Sequence, residues 1–169
     1  MKKALGLFCL VALLAAPALA VTPLQIGIWG PRVQLFPAST EVVGLRLNLL
    51  KSDNAEVLGF DLGVVGQATS MKAIQVNLVN LVDEEFDGIS VGLFNQVGTV
   101  AGIQVGLFNN VRYDLSGFQI GLFNAADSVA GIQIGILNQT VSMRGVQIGV
   151  VNLIEEGPIG FFPVLNAAF

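Results

Sequence analysis

The chain has no histidine at all. The side chain that most often serves as general base and as metal ligand is therefore missing. Its single cysteine, Cys9, lies within the first twenty residues. If that segment is removed, disulfides, thiol catalysis and cysteine metal sites are excluded together. Charge is scarce as well: charged residues are 12% of the chain, where about 25% is usual for a soluble domain. Apolar residues make up 53% and the mean hydropathy is +0.73, a composition that excludes disorder. Tryptophan and tyrosine occur once each, too few for the interfacial girdles of a typical membrane barrel. No stretch after residue 20 carries a convincing helical period.

The first twenty residues read as a secretory leader. Lys2 and Lys3 form its positive start, Leu5–Leu14 its apolar run, and Ala18-Leu19-Ala20 its small-x-small cleavage site. The apolar run is shorter than the ~20 residues that a spanning helix needs. The expectation is a mature chain of one domain, residues 21–169, exported to the outer membrane or cell surface. Without Lys2 and Lys3, six basic residues face twelve acidic ones, with no basic cluster. Such a chain is a poor nucleic-acid binder.

What the chain does contain is an eight-residue unit, G-x-Q-x-G-L-x-N, recurring every 14 or 15 residues. Its clearest copies are Gly88–Asn95, Gly102–Asn109, Gly117–Asn124, Gly131–Asn138 and Gly145–Asn152. Weaker ones start at Pro23, Gly44, Gly59 and Ala73, and Ile159–Asn166 is a degenerate last copy, ten in all. A unit this short cannot bury its own apolar face, so the copies form one continuous object. Within each unit residues alternate with period two, the signature of a strand. In Gly102–Asn109 one face holds Ile103, Val105 and Leu107, and the other Gly102, Gln104, Gly106 and Phe108. Turn-forming residues fill the connectors, as in Ser52-Asp53-Asn54 and Arg112-Tyr113-Asp114.

Two all-β architectures compete for these ten strands. A parallel β-solenoid would stack identical residues, making a ladder of Asn95, Asn109, Asn124, Asn138 and Asn152. An antiparallel up-and-down barrel of the outer-membrane type would make each unit one strand. Longer, more charged connectors alternate with shorter ones, a period of 29 residues that hairpins would produce. A solenoid would also show water a large apolar surface, which soluble monomers avoid, whereas a barrel would turn it to lipid. The barrel is therefore the favoured expectation and the solenoid the alternative. Phe169 suits the barrel, as a terminal aromatic. Pro163, inside the expected last strand, counts against it.

On either reading Gln75, Gln104, Gln119, Gln133 and Gln147 occupy one level, with Arg46 and Asp61 at the equivalent place in neighbouring strands. In the barrel they line the lumen. An Arg46–Asp61 ion pair is expected, with a structural role, because a buried charge needs a partner. No catalytic, cofactor or metal residues are expected. A serine or cysteine triad is impossible without histidine and mature cysteine, and no Walker loop is present. Asp83-Glu84-Glu85-Phe86-Asp87 is the densest carboxylate run, but it lacks the alternating spacing of a calcium loop and reads as a solvated turn. The partners expected are outer-membrane lipid and, through the charged connectors, a surface partner.

The units G-I-Q-V-G-L-F-N, G-F-Q-I-G-L-F-N and G-I-Q-I-G-I-L-N resemble those of the bacterial "surface repeat" proteins. The opening P-L-Q-I-G-I-W-G and the following G-L-R-L-N-L-L are similar to that family's beginning, so the resemblance spans Pro23–Asn152. It implies a cell-surface or envelope location and no established activity. It carries no catalytic residues with it.

Overall fold

A computed structural model describes residues 21–169; the expected leader, residues 1–20, lies outside them. The described residues form six strands: β1 (Val21–Trp29), β2 (Glu41–Val91), β3 (Phe94–Val105), β4 (Phe108–Ile120), β5 (Phe123–Ile154) and β6 (Phe161–Ala168). They make one sheet in chain order. From β1 to β5 every pairing is parallel, and only β6 runs antiparallel to its neighbour. This overturns the antiparallel barrel. The molecule is a parallel β-solenoid, the alternative architecture.

The register shows why. Asn95 pairs with Asn109 and Asn109 with Asn124, and Gln104 pairs with Gln119 and Gln119 with Gln133. One repeat is one turn of the coil, so identical residues stack on themselves. β2 and β5, at 51 and 32 residues, are longer than a turn and wind round the axis more than once. The 29-residue alternation has a different cause from hairpins. Coils of 15 and 14 residues alternate, and the register shifts at Val82/Glu85, Val97/Val100 and Val111/Asp114 place the extra residue at one corner.

Each coil has two corners. One is sharp: the chain leaves β3 at Val105, passes Gly106-Leu107 and enters β4 at Phe108. The same break falls at Gly92-Leu93 and Gly121-Leu122. Glycine is required there, because a Cβ on Gly121 would stand 2.6 Å from Asn109 Nδ2 and 3.1 Å from Asn124 Oδ1. The first glycine of the unit answers a second demand. Gly117 has φ +137°, and a Cβ on it would overlap the carbonyl of Gly102 in the coil before. The opposite corner is blunt and holds the charged connectors.

The interior is divided. Toward the blunt corner an apolar column is buried, including Phe86, Val97, Val100, Val111, Leu115 and Val129. Toward the sharp corner the buried side chains are amides. Both ends of the stack are closed. At one, residues 31–36 fold back on β1, with Ile28 N donating to Val33 O and Leu35 N to Ile26 O, both at 2.9 Å. At the other, β6 covers β5. The degenerate last unit is thus a reversed strand, not another coil. As the outermost strand, β6 tolerates Pro163 because half its N–H groups face no neighbour.

Candidate functional site

The asparagines and glutamines of the repeat, with Arg46 and Asp61, lie inside the coil, closed to solvent. Asn95, Asn109, Asn124, Asn138 and Asn152 form a ladder in which each Nδ2 donates to the next Oδ1 at 2.7–2.8 Å. Each Nδ2 of Asn95, Asn109, Asn124 and Asn138 also donates to a backbone carbonyl, such as Ile120 O for Asn109. Gln147, Gln133, Gln119 and Gln104 form a second ladder, donating the opposite way along the axis at 2.7–3.1 Å. It stops where its pattern stops. Ser90 replaces glutamine below Gln104 and bonds to Gln75 Oε1 at 3.3 Å, leaving Gln104 Nε2 without a partner.

Arg46 and Asp61 occupy glutamine positions in adjacent coils and are fully buried. Arg46 Nε and Nη2 donate to the two carboxylate oxygens at 2.7 and 3.0 Å, and Nη1 donates to Gln67 O at 2.6 Å. Asn48, Gln75 and Asn77 supply three more donors to Asp61 at 2.7–3.0 Å. Gly66 stands where other units have asparagine, and a Cβ there would crowd Asp61, Asn77 and Arg46. Burial raises the Asp61 pKa, but the Arg46 charge and the hydrogen bonds from Arg46, Asn48 and Asn77 outweigh it. The carboxyl is held below its ordinary value. Both oxygens of this carboxylate are engaged by donors within the buried interior, closed to solvent.

The exposed surface is divided between two opposite corners. At the blunt corner lie Asp83, Glu84, Glu85, Tyr113, Asp114 and Asp127, all exposed. Lys72 pairs there with Asp87 at 2.9 Å, and Arg112 reaches Asp83. Among the described residues no three acidic, histidine or cysteine side chains converge to hold a metal ion. Ala125 and Ala126 stand beside Asn110 and Val111 of the previous coil. Their small size opens a depression of about 370 Å³, also lined by Arg112, Asp127, Gln139 and Glu155. Gln139 donates to Glu155 across it at 3.3 Å.

The sharp corner is different in kind. The second, fourth, sixth and seventh positions of the unit point outward around it. From Leu45 to Val151 every one of them is Ile, Val, Leu or Phe. The sixth position forms the crest, where Leu78, Leu107 and Ile136 are 51%, 42% and 50% exposed. On one flank stand Ile89, Phe118, Ile134 and Ile148, and on the other Phe94, Phe108 and Phe123, all exposed. Phe108 and Phe123 stack face to face with centroids 5.0 Å apart and planes 2° from parallel. The barrel reading placed Phe108 with Gln104 in a lumen. The bend at Gly106-Leu107 shifts the alternation by one residue, so that Asn109 turns in and Phe108 turns out. The two adjacent apolar residues after each second glycine, which break strict alternation, were the signal for this corner.

Comparison with family models, with curated proteins and with solved structures finds no match to this chain.

Proposed function

We propose that this is a non-enzymatic, exported envelope or surface protein that works by contact along its repetitive apolar ridge. One observation carries the reading: an apolar ridge runs along the stack from Leu45 to Val151, with Lys51 beside Trp29 as the charge on its flank in the first coils, and most of the other charges gather on the corner opposite. Soluble proteins rarely leave an apolar surface of this extent uncovered unless something binds it. The resemblance to surface-repeat proteins supports the location. The buried amides and ion pair offer no route to a substrate, and among the described residues the exposed carboxylates have no histidine or thiol to work with.

The test uses the mature chain and a variant with Leu78→Glu, Leu107→Glu and Ile136→Glu. These lie in alternate coils, about 10 Å apart, which limits repulsion between the new charges. The wild type is expected to bind a hydrophobic dye and to self-associate, or to require detergent. The variant is expected to keep the β signature in circular dichroism and to lose both properties. A wild type that is monodisperse without detergent and indifferent to the dye would refute a contact role for the ridge.

A further inference from the structure

We infer that the occupant of the ridge is the hydrocarbon of a lipid layer, into which the solenoid sinks side-on with its axis parallel to the surface. This rests on the reading above that the ridge is a contact surface, and it names what is contacted. The first argument is shape. The apolar strip is centred on the sharp corner and wraps down both flanks, so it is convex. A rigid second copy of a convex ridge can meet only one flank or touch crest to crest, leaving most of the strip bare. A deformable apolar medium covers crest and flanks together.

The second argument is polar accounting. Nothing enters hydrocarbon with unpaired backbone groups. Here even the corner is satisfied: Leu107 N donates to Leu93 O, Leu122 N to Leu107 O and Ile136 N to Leu122 O, each at 3.0 Å. The amides that could draw water toward the sharp corner are turned inward and bonded to one another. The third argument is the rim. Gln96, Asn110 and Gln139 border one flank, and the Lys72–Asp87 pair, Ser116 and Arg144 border the other. Polar groups therefore begin at a similar depth on both sides, as they must for a wedge sunk ~5–10 Å into the acyl boundary.

Charge decides which force operates. Residues 21–169 hold six basic and twelve acidic side chains, so an anionic lipid surface repels the molecule as a whole. Adhesion must come from apolar burial, and neutral lipid should suffice. The chain also carries its own reporter. Trp29, its only tryptophan, follows Ile28 at the crest position of the first unit and is 68% exposed.

The experiment floats the mature chain with phosphatidylcholine vesicles at low and high salt while following Trp29 emission. The expected result is co-flotation at both salt concentrations, a blue shift, and quenching by lipids brominated on their acyl chains. In the Leu78→Glu, Leu107→Glu, Ile136→Glu variant, binding should fall at least about tenfold. The single Leu107→Glu variant, which perturbs one coil only, should fall between the two. Flotation only with anionic lipid, and released by salt, would overturn hydrocarbon as the occupant. So would a wild type that ignores vesicles yet forms an oligomer that the triple variant abolishes, although the contact role would then stand. A wild type that does neither removes both.

Discussion

At the scale of single residues, the interior is specified by polar atoms as much as by apolar ones. An amide inside a coil has neighbours of its own kind above and below, so donor and acceptor find each other at the strand spacing and little desolvation cost remains uncompensated. Arg46 and Asp61 replace two rungs of the glutamine ladder with a buried ion pair that six donors hold in place. Removing one partner leaves the other charge unpaired, which typically costs about 3–5 kcal/mol. Asp61→Asn should therefore lower stability by roughly that amount in urea unfolding. Arg46→Gln with Asp61→Gln, which restores the ladder's own residue type, should recover most of the loss. If the double variant is no better than the single one, the pair does more than fill two rungs. Acid sharpens the test. The Asp61 pKa is lowered in the fold, so its contribution is complete above the unfolded value and fades as pH falls below about 4. Asp61→Asn should show a shallower acid limb than the wild type.

At the scale of elements, much was legible from the units themselves. Their period, their strands, the level shared by the glutamines and the adjacency of Arg46 and Asp61 all follow from identical residues at fixed spacing. The direction of the strands did not follow. Parallel coils and antiparallel hairpins both place Gln104 beside Gln119, and an extra residue at the blunt corner imitated a hairpin period. The sharp corner was hidden for a related reason. Gly106 reads as an ordinary member of an alternating strand until the asparagine ladder beneath it shows why a side chain cannot stand there. On sequence alone the ridge counts as an objection to the solenoid, because soluble monomers avoid exposing so much apolar surface, and in the fold it is the molecule's main surface feature. β6 illustrates what sequence could not weigh. Its degenerate pattern marks a strand that ends the stack by reversing, with Val164 held at φ 72°, a strained value for a β-branched residue. An open coil edge is a template for further pairing. Deleting Phe161–Ala168 should uncover the edge of β5 and give concentration-dependent, thioflavin-positive association, measured by light scattering and fluorescence. A truncated chain that stays monomeric would show that β6 is not the cap.

At the scale of the whole molecule, nearly all long-range order is nearest-neighbour order. Each coil touches the one before and the one after, and stability is the sum of those interfaces. The hydrogen bonds of strands and ladders alike point along the axis. That direction has a mechanical consequence. Tension applied to the two ends along the axis loads one coil interface at a time, outermost first, instead of shearing many bonds together. Each coil that opens should release roughly 45–50 Å of chain, the extended length of 14 or 15 residues. Single-molecule pulling should then give a sawtooth with that spacing and low, similar peaks, and a single rupture of the whole stack would rule it out. Fixed at one end and loaded at the other, the protein would behave as an extensible tether, yielding in steps and rewinding from whichever coils still hold.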